Sequence, residues 1–121
     1  MAENYLPRTK VVMAIRLVEI IKQKEGKNDG VTISDLEKML TKFEKSGLGF
    51  DISQKKLPEL LKSADESGQI VPATVFDDKN KPIRAYKVSP IVAPYYDGML
   101  ETLGLIERKI DTRIYIHGNK I

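Results

Sequence analysis

The chain has 121 residues, 20 Lys+Arg against 17 Asp+Glu, a formal net charge of +3, no Cys, no Trp and one histidine, His117. That length suits one domain. The missing cysteines exclude disulfide scaffolds, iron–sulfur and thiolate zinc sites and cysteine nucleophiles, and a lone histidine excludes a multi-histidine metal site within one chain. With 41% hydrophobic residues the composition is that of a folded domain with a core, not a disordered chain.

The first helix is expected from about Arg8 to Glu25, with Thr9 as its cap and Gly26 as its stop. Val11, Ala14, Ile15, Val18 and Ile21 recur at helical spacing, and Leu17 and Ile20 widen the stripe, so this helix packs on others. Gly26 to Gly30 reads as a loop and Val31 to Ile33 as a short strand. Ser34-Asp-Leu-Glu37 has the spacing of a capping box, opening a second helix to about Lys45 with Leu36, Met39, Leu40 and Phe43 on one face. A third helix is capped by Ser53 and reaches about Ser67, with Leu57, Leu60, Leu61 and Ala64 as its stripe. Pro58 is tolerated only in a first turn, so the regular helix is expected near Leu57, with Ser53 to Lys56 as an irregular or separate turn.

Gly68 closes that helix, and the texture changes to β-branched and aromatic residues. Ile70 to Phe76 and Ile83 to Val88 flank the hydrophilic Asp77-Asp-Lys-Asn-Lys-Pro82, which predicts a β-hairpin. A fourth helix, Pro94 to Leu103, carries Tyr96, Met99, Leu100 and Leu103, and Gly104 is its stop. A second hairpin is expected from Leu105 to His117, turning at Asp111-Thr112.

Charge is distributed in blocks along this order. The nets are +3 over 1–27, −2 over 28–52, +2 over 53–87, −2 over 88–104 and +2 over 105–121. Basic blocks that meet on one face would make a cationic surface that the total conceals.

Residues 8–89 resemble a winged helix-turn-helix domain. Val31-Thr-Ile-Ser-Asp-Leu-Glu-Lys-Met-Leu is similar to its strand and second helix. The run from Ile52 through Pro58 to Gln69-Ile70 is similar to its recognition helix and the step into the wing, and Ile83-Arg-Ala-Tyr-Lys-Val-Ser89 to the returning wing strand. The resemblance implies an α+β fold of three helices and a hairpin wing, here with an added C-terminal helix and second hairpin over 90–121, all one domain. It implies a double-stranded DNA partner and a small transcriptional regulator. Gln54, Lys55, Lys56 and Lys62 on the third helix suit a major groove, where Gln bonds adenine and Lys reaches guanine or phosphate. Lys79, Asn80, Lys81 and Arg84 on the wing, and Arg8 and Lys10 on the first helix, suit phosphates.

Tyr96, Met99, Leu100 and Leu103 either cover the wing sheet or form the interface of a homodimer, which would present two recognition elements to a two-fold site. A protein-interaction module of a larger assembly is the alternative, because fold does not determine function. The chain is expected to be no enzyme. Asp97 and Glu101 lack an apolar pocket or a partner base, and no Walker loop, GxGxxG or His-x-Glu motif occurs. No cofactor and no metal are expected. The apolar run that starts at Val11 is far too short for a bilayer, and the N-terminus has no signal-type run, so a cytoplasmic protein with no membrane partner is expected.

Overall fold

The computed structural model describes residues 2–27, 29–46, 52 and 54–106. Its axis is α1 (Ala2–Lys24). Between Val11 and Val18 every residue but Arg16 is buried. An amphipathic stripe buries one face; burial all round requires neighbours on every side. These are α2 (Ile33–Ser46), α3 (Leu57–Glu66), α4 (Ala93–Thr102) and β3 (Pro82–Val88), all of which touch α1. The expected stripe is therefore too narrow at Val12 and Met13, which are buried, and too long at Ile21, which is exposed. The helix also starts well before the expected Arg8 and takes Pro7 within it, forfeiting one ladder N–H near its end.

β1 (Val31–Thr32) leads directly into α2. The expected capping box at Ser34 and Glu37 is displaced by two residues: Asp35 N–H donates to Thr32 Oγ1 (3.1 Å), and Thr32 N–H donates to Asp35 Oδ2 (3.0 Å). Both sites fit the sequence pattern. Tertiary contacts select the earlier one, because Thr32 is held in the sheet opposite Ala85 and Lys22 Nζ lies 3.2 Å from Asp35 Oδ2. Burial works to raise the Asp35 pKa, but the Thr32 donors and the Lys22 ammonium outweigh it and hold it below the usual aspartate value.

A single 3-10 turn, Gln54–Lys56, precedes α3, as Pro58 requires; the proline occupies the first turn of the regular helix. Leu57, Leu60, Leu61 and Ala64 are all buried, in agreement with the expected stripe. Three helices end in the same way. Lys27, Gln69 and Leu105 N–H reach back to Lys22, Ala64 and Leu100 carbonyls across Gly26, Gly68 and Gly104, each of which has the positive φ this stop demands.

β2 (Ile70–Phe76) and β3 form the hairpin, and β1 pairs the other edge of β3, giving an antiparallel order β1-β3-β2. Val88 N–H points away from β2, to Glu19 Oε1 at 3.0 Å. Ser89 N–H donates to Gln69 O. Ladder bonds of β2 therefore fall on odd-numbered residues, and Pro72, opposite Tyr86, turns its missing N–H to the outer edge, where it breaks no ladder bond and blunts that edge.

α4 closes the remaining side of α1. Arg16 Nε and Nη2 grip Asp97 Oδ1 and Oδ2 at 2.6 and 3.1 Å, and Tyr96 OH donates to Gln69 Oε1 at 2.7 Å. The described chain is thus α+β, four helices with a three-stranded antiparallel sheet. Among the described residues no helix is long and apolar enough to cross a membrane. The expected second hairpin, with Arg108, Lys109, Arg113, Tyr115 and His117, falls mainly on residues 107–121 and lies outside the described residues, as does the expected cap Ser53.

Candidate nucleic-acid interface

The expected cationic residues fall into two sets. The first gathers at the start of α3. Gln54, Lys55 and Lys56 are exposed, but they belong to the 3-10 turn and not to α3 itself. The expectation of a third-helix face therefore needs correcting at these three residues: the first-turn proline separates them from the helix. Gln54 Nε2 donates to Thr41 Oγ1 at 3.2 Å, which ties the turn to α2. Lys62 is exposed on α3, and Arg8 Nη1 donates to Ser63 Oγ one residue along, at 3.4 Å. Arg8 and Lys10 are half-buried on α1, and Arg8 reaches α3 through Ser63.

Charge along α3 is uneven. Beyond the lysine turn, its exposed residues include Glu59, Asp65 and Glu66 against Lys62 alone. A polyanion approaching this helix meets attraction at its N-terminal end, where the helix dipole adds to Lys55 and Lys56, and repulsion along the rest.

The second set is the tip of the hairpin. Lys79, Asn80 and Lys81 are exposed there, and Arg84 is exposed on β3. From Ile70 to Phe76 the strand extends about 20 Å at 3.3 Å per residue, so the tip projects well clear of its buried root. Its shape is determined locally. Asn80 N–H donates to Asp77 O, Asp77 N–H to Lys81 O, and Asn80 has φ 64°, a type I turn followed by a left-handed residue. Asp77 Oδ1 then accepts from Lys79 N–H (2.9 Å) and Lys81 N–H (2.8 Å). The Asp77 carboxylate thus braces the turn through two backbone donors, while its charge and that of the exposed Asp78 partly offset the lysines of the tip.

The pairing Thr74↔Arg84 puts Arg84 on the same sheet face as Phe76, opposite Pro82, and as Tyr86 and Val88, which are buried at the root. Phe76, the last residue of the edge strand β2, is 60% exposed although it is aromatic. Sequence reasoning misses it, because a phenylalanine in a strand pattern reads as core. Its position at the strand end, immediately before the polar tip, is the signal that could have found it.

The expected interface on the fourth helix divides. Tyr96 is 3% and Leu100 0% exposed, both within this chain's own core, so they cannot also meet a second copy. Met99 is half-buried. Leu103 remains exposed, together with Tyr95 and Ile91, which lie outside the expected set. An amphipathic pattern tells that a helix has an apolar face, but not which molecule covers it.

Buried ionisable chemistry lies elsewhere. Burial pushes the Glu19 carboxyl above the usual glutamate range, opposed by Val88 N–H and by Arg16. Arg16 Nη1 lies 3.6 Å from Glu19 Oε1 while its other nitrogens hold Asp97. This chain of charges links α4, α1 and β3. Among the described residues no group of three or more His, Asp and Glu side chains is placed to hold a metal ion. Comparison with family models, with curated proteins and with solved structures finds no match.

Proposed function

We propose that this chain is a winged-helix protein that binds double-stranded DNA, a small transcriptional regulator acting as a homodimer. The observation that carries the reading is the projecting hairpin. A buried root and a tip braced by its own hydrogen bonds present Lys79, Asn80 and Lys81 to solvent away from the core. The order α1-β1-α2-α3-β2-β3 and the sheet order β1-β3-β2 support the family resemblance.

In this reading the duplex meets the N-terminal end of α3, with Gln54, Lys55 and Lys56 directed to the major groove and Lys62 to a flanking phosphate. The wing supplies Lys79, Lys81 and Arg84 to the backbone of an adjacent groove. Arg8 holds α3 in place through Ser63. The second copy packs on the exposed Ile91, Tyr95 and Leu103, with Met99 at the margin.

The acidic length of α3, with Glu59, Asp65 and Glu66, supports a second reading, a module that docks a basic protein partner and does not touch DNA. A fluorescence-anisotropy titration of a labelled mixed-sequence duplex across a salt series separates the two. DNA binding predicts an affinity that falls linearly on a log–log scale with salt, by about 0.9 for each phosphate neutralised. No binding at low salt, or binding indifferent to salt, overturns the first reading and leaves the second.

A further inference from the structure

We propose that Phe76 is a wedge that enters a base-pair step of the minor groove and bends the duplex. The inference rests on the DNA-binding reading and adds to it the mode of contact and the side chain responsible. Phe76 closes β2 with its side chain 60% exposed, and its cross-strand neighbour Pro82 is exposed as well. Together they make an apolar end to the sheet face that continues from the core. An isolated exposed apolar residue has no meaning by itself. This one is surrounded by Arg84 on its own face and by Lys79 and Lys81 at the tip. Against Asp77 and Asp78 these three cations leave a small positive excess around the ring, and an apolar ring in such a frame complements a surface that is anionic outside and aromatic within, as a stacked duplex is.

The hydrogen bonding of the tip supports the same conclusion. A wedge must hold its shape while bases unstack around it. The tip is braced by Asp77, whose carboxylate accepts both Lys79 and Lys81 N–H groups, and its ladder closes at Asp77 N–H to Lys81 O. The carboxylate next in sequence to the ring is thereby kept occupied by the protein's own donors. Minor-groove wedges are apolar side chains flanked by basic ones, and they exchange stacking energy for a bend.

The test uses the whole protein and a mixed-sequence duplex with a donor and an acceptor dye at its two ends. Wild type is expected to raise energy transfer on binding. Phe76→Ala should bind about tenfold more weakly, keep the salt slope of the wild type and lose the change in energy transfer at saturation. Phe76→Leu, which keeps an apolar wedge, should retain most of both. Lys79→Ala with Lys81→Ala should flatten the salt slope and still bend the duplex at saturation. The exposed position of Phe76 predicts an unchanged thermal midpoint for each variant, so lost binding is not lost folding. Phe76→Ala with wild-type affinity and wild-type bending overturns the wedge while leaving DNA binding intact. A loss confined to single-stranded oligonucleotide, with the duplex unaffected, overturns it too. Failure of the wild type to bind any duplex at low salt removes the DNA reading itself, and the wedge with it.

Discussion

The β2–β3 hairpin has a root and a tip with the same backbone and opposite duties. At the root Ile70, Tyr86 and Val88 are buried against the helices, Val88 N–H is held by Glu19, and Ser89 is tied to Gln69. At the tip Phe76, Lys79 and Lys81 are exposed, and only Asp77 and the turn hold them. The pairing runs unbroken between the two ends. What changes is the layer beneath: the root lies on the core, Val75 still lines a groove with Val18 and Met39, and only Phe76 and the turn beyond it stand clear. Stability and exposed surface are thus separated along one element, so each can be altered with little effect on the other.

The largest test of that separation lies in the core that carries the root. Leu60→Ala, at 0% exposure, should cost about 2–5 kcal/mol in urea unfolding. DNA affinity of the fraction that stays folded should be unchanged. A loss of affinity beyond the unfolded fraction would show that the core also sets the DNA-facing surface, at the hairpin tip or at the start of α3 on which Leu60 lies.

Next in size is Glu19. Glu19→Ala strips Val88 N–H of its acceptor and Arg16 of one partner, and should cost about 1–3 kcal/mol. Glu19→Gln keeps an oxygen for Val88 and should cost less. The pH dependence has a definite sign. Burial raises the folded-state value of Glu19, so its contribution to stability is fully present below the unfolded value and is lost as pH rises through the folded one. The stability of wild type relative to Glu19→Gln should therefore fall as pH climbs out of the ordinary glutamate range. A difference that is flat with pH would show that the carboxyl is not desolvated.

Asp77→Ala should cost less than about 1 kcal/mol globally, because the bonds it removes are exposed. Its effect should be local: faster amide hydrogen exchange at Lys79 and Lys81, with the root amides unchanged. Uniform acceleration through Val88 would erase the boundary between root and tip. Smallest in stability is Lys79→Ala with Lys81→Ala, which should stay within about 0.5 kcal/mol of wild type. On DNA it should weaken all sequences about equally and lower the salt slope by about 0.9 for each phosphate no longer neutralised. Unchanged binding would move the cationic interface away from this hairpin.

Most elements were legible because their signals are local. The Leu57, Leu60, Leu61 and Ala64 spacing, the turn-rich tip between two β-branched runs, and the glycines 26, 68 and 104 each act over a few residues, and all appear where expected. The departures are of a different kind. Thr32 and Ser34 are both fit to cap α2, and the choice was made by a strand partner distant in the chain, Ala85. Pro7 marks a break by local rules, yet α1 continues through it. In the candidate interface, Lys79, Asn80, Lys81 and Arg84 were readable from the hairpin's composition. Pro58 signals that Lys55 and Lys56 belong to a separate turn, which is inconsistent with placing them on a helix face.

Among the described residues the order and type of the elements, the glycine stops, and the lysine-bearing hairpin tip follow from the amino-acid sequence alone, since each depends on backbone preferences and side-chain period within a short window. Tertiary packing was needed to settle which apolar faces the chain covers itself. Tyr96 and Leu100 were taken inward and Leu103 was left outside, because α1 is enclosed only when neighbours arrive from the far end of the chain. Packing also left Phe76 standing beyond the core, since where a sheet outruns its support is a matter of packing length, to which the local pattern adds only the place of Phe76 at the strand end.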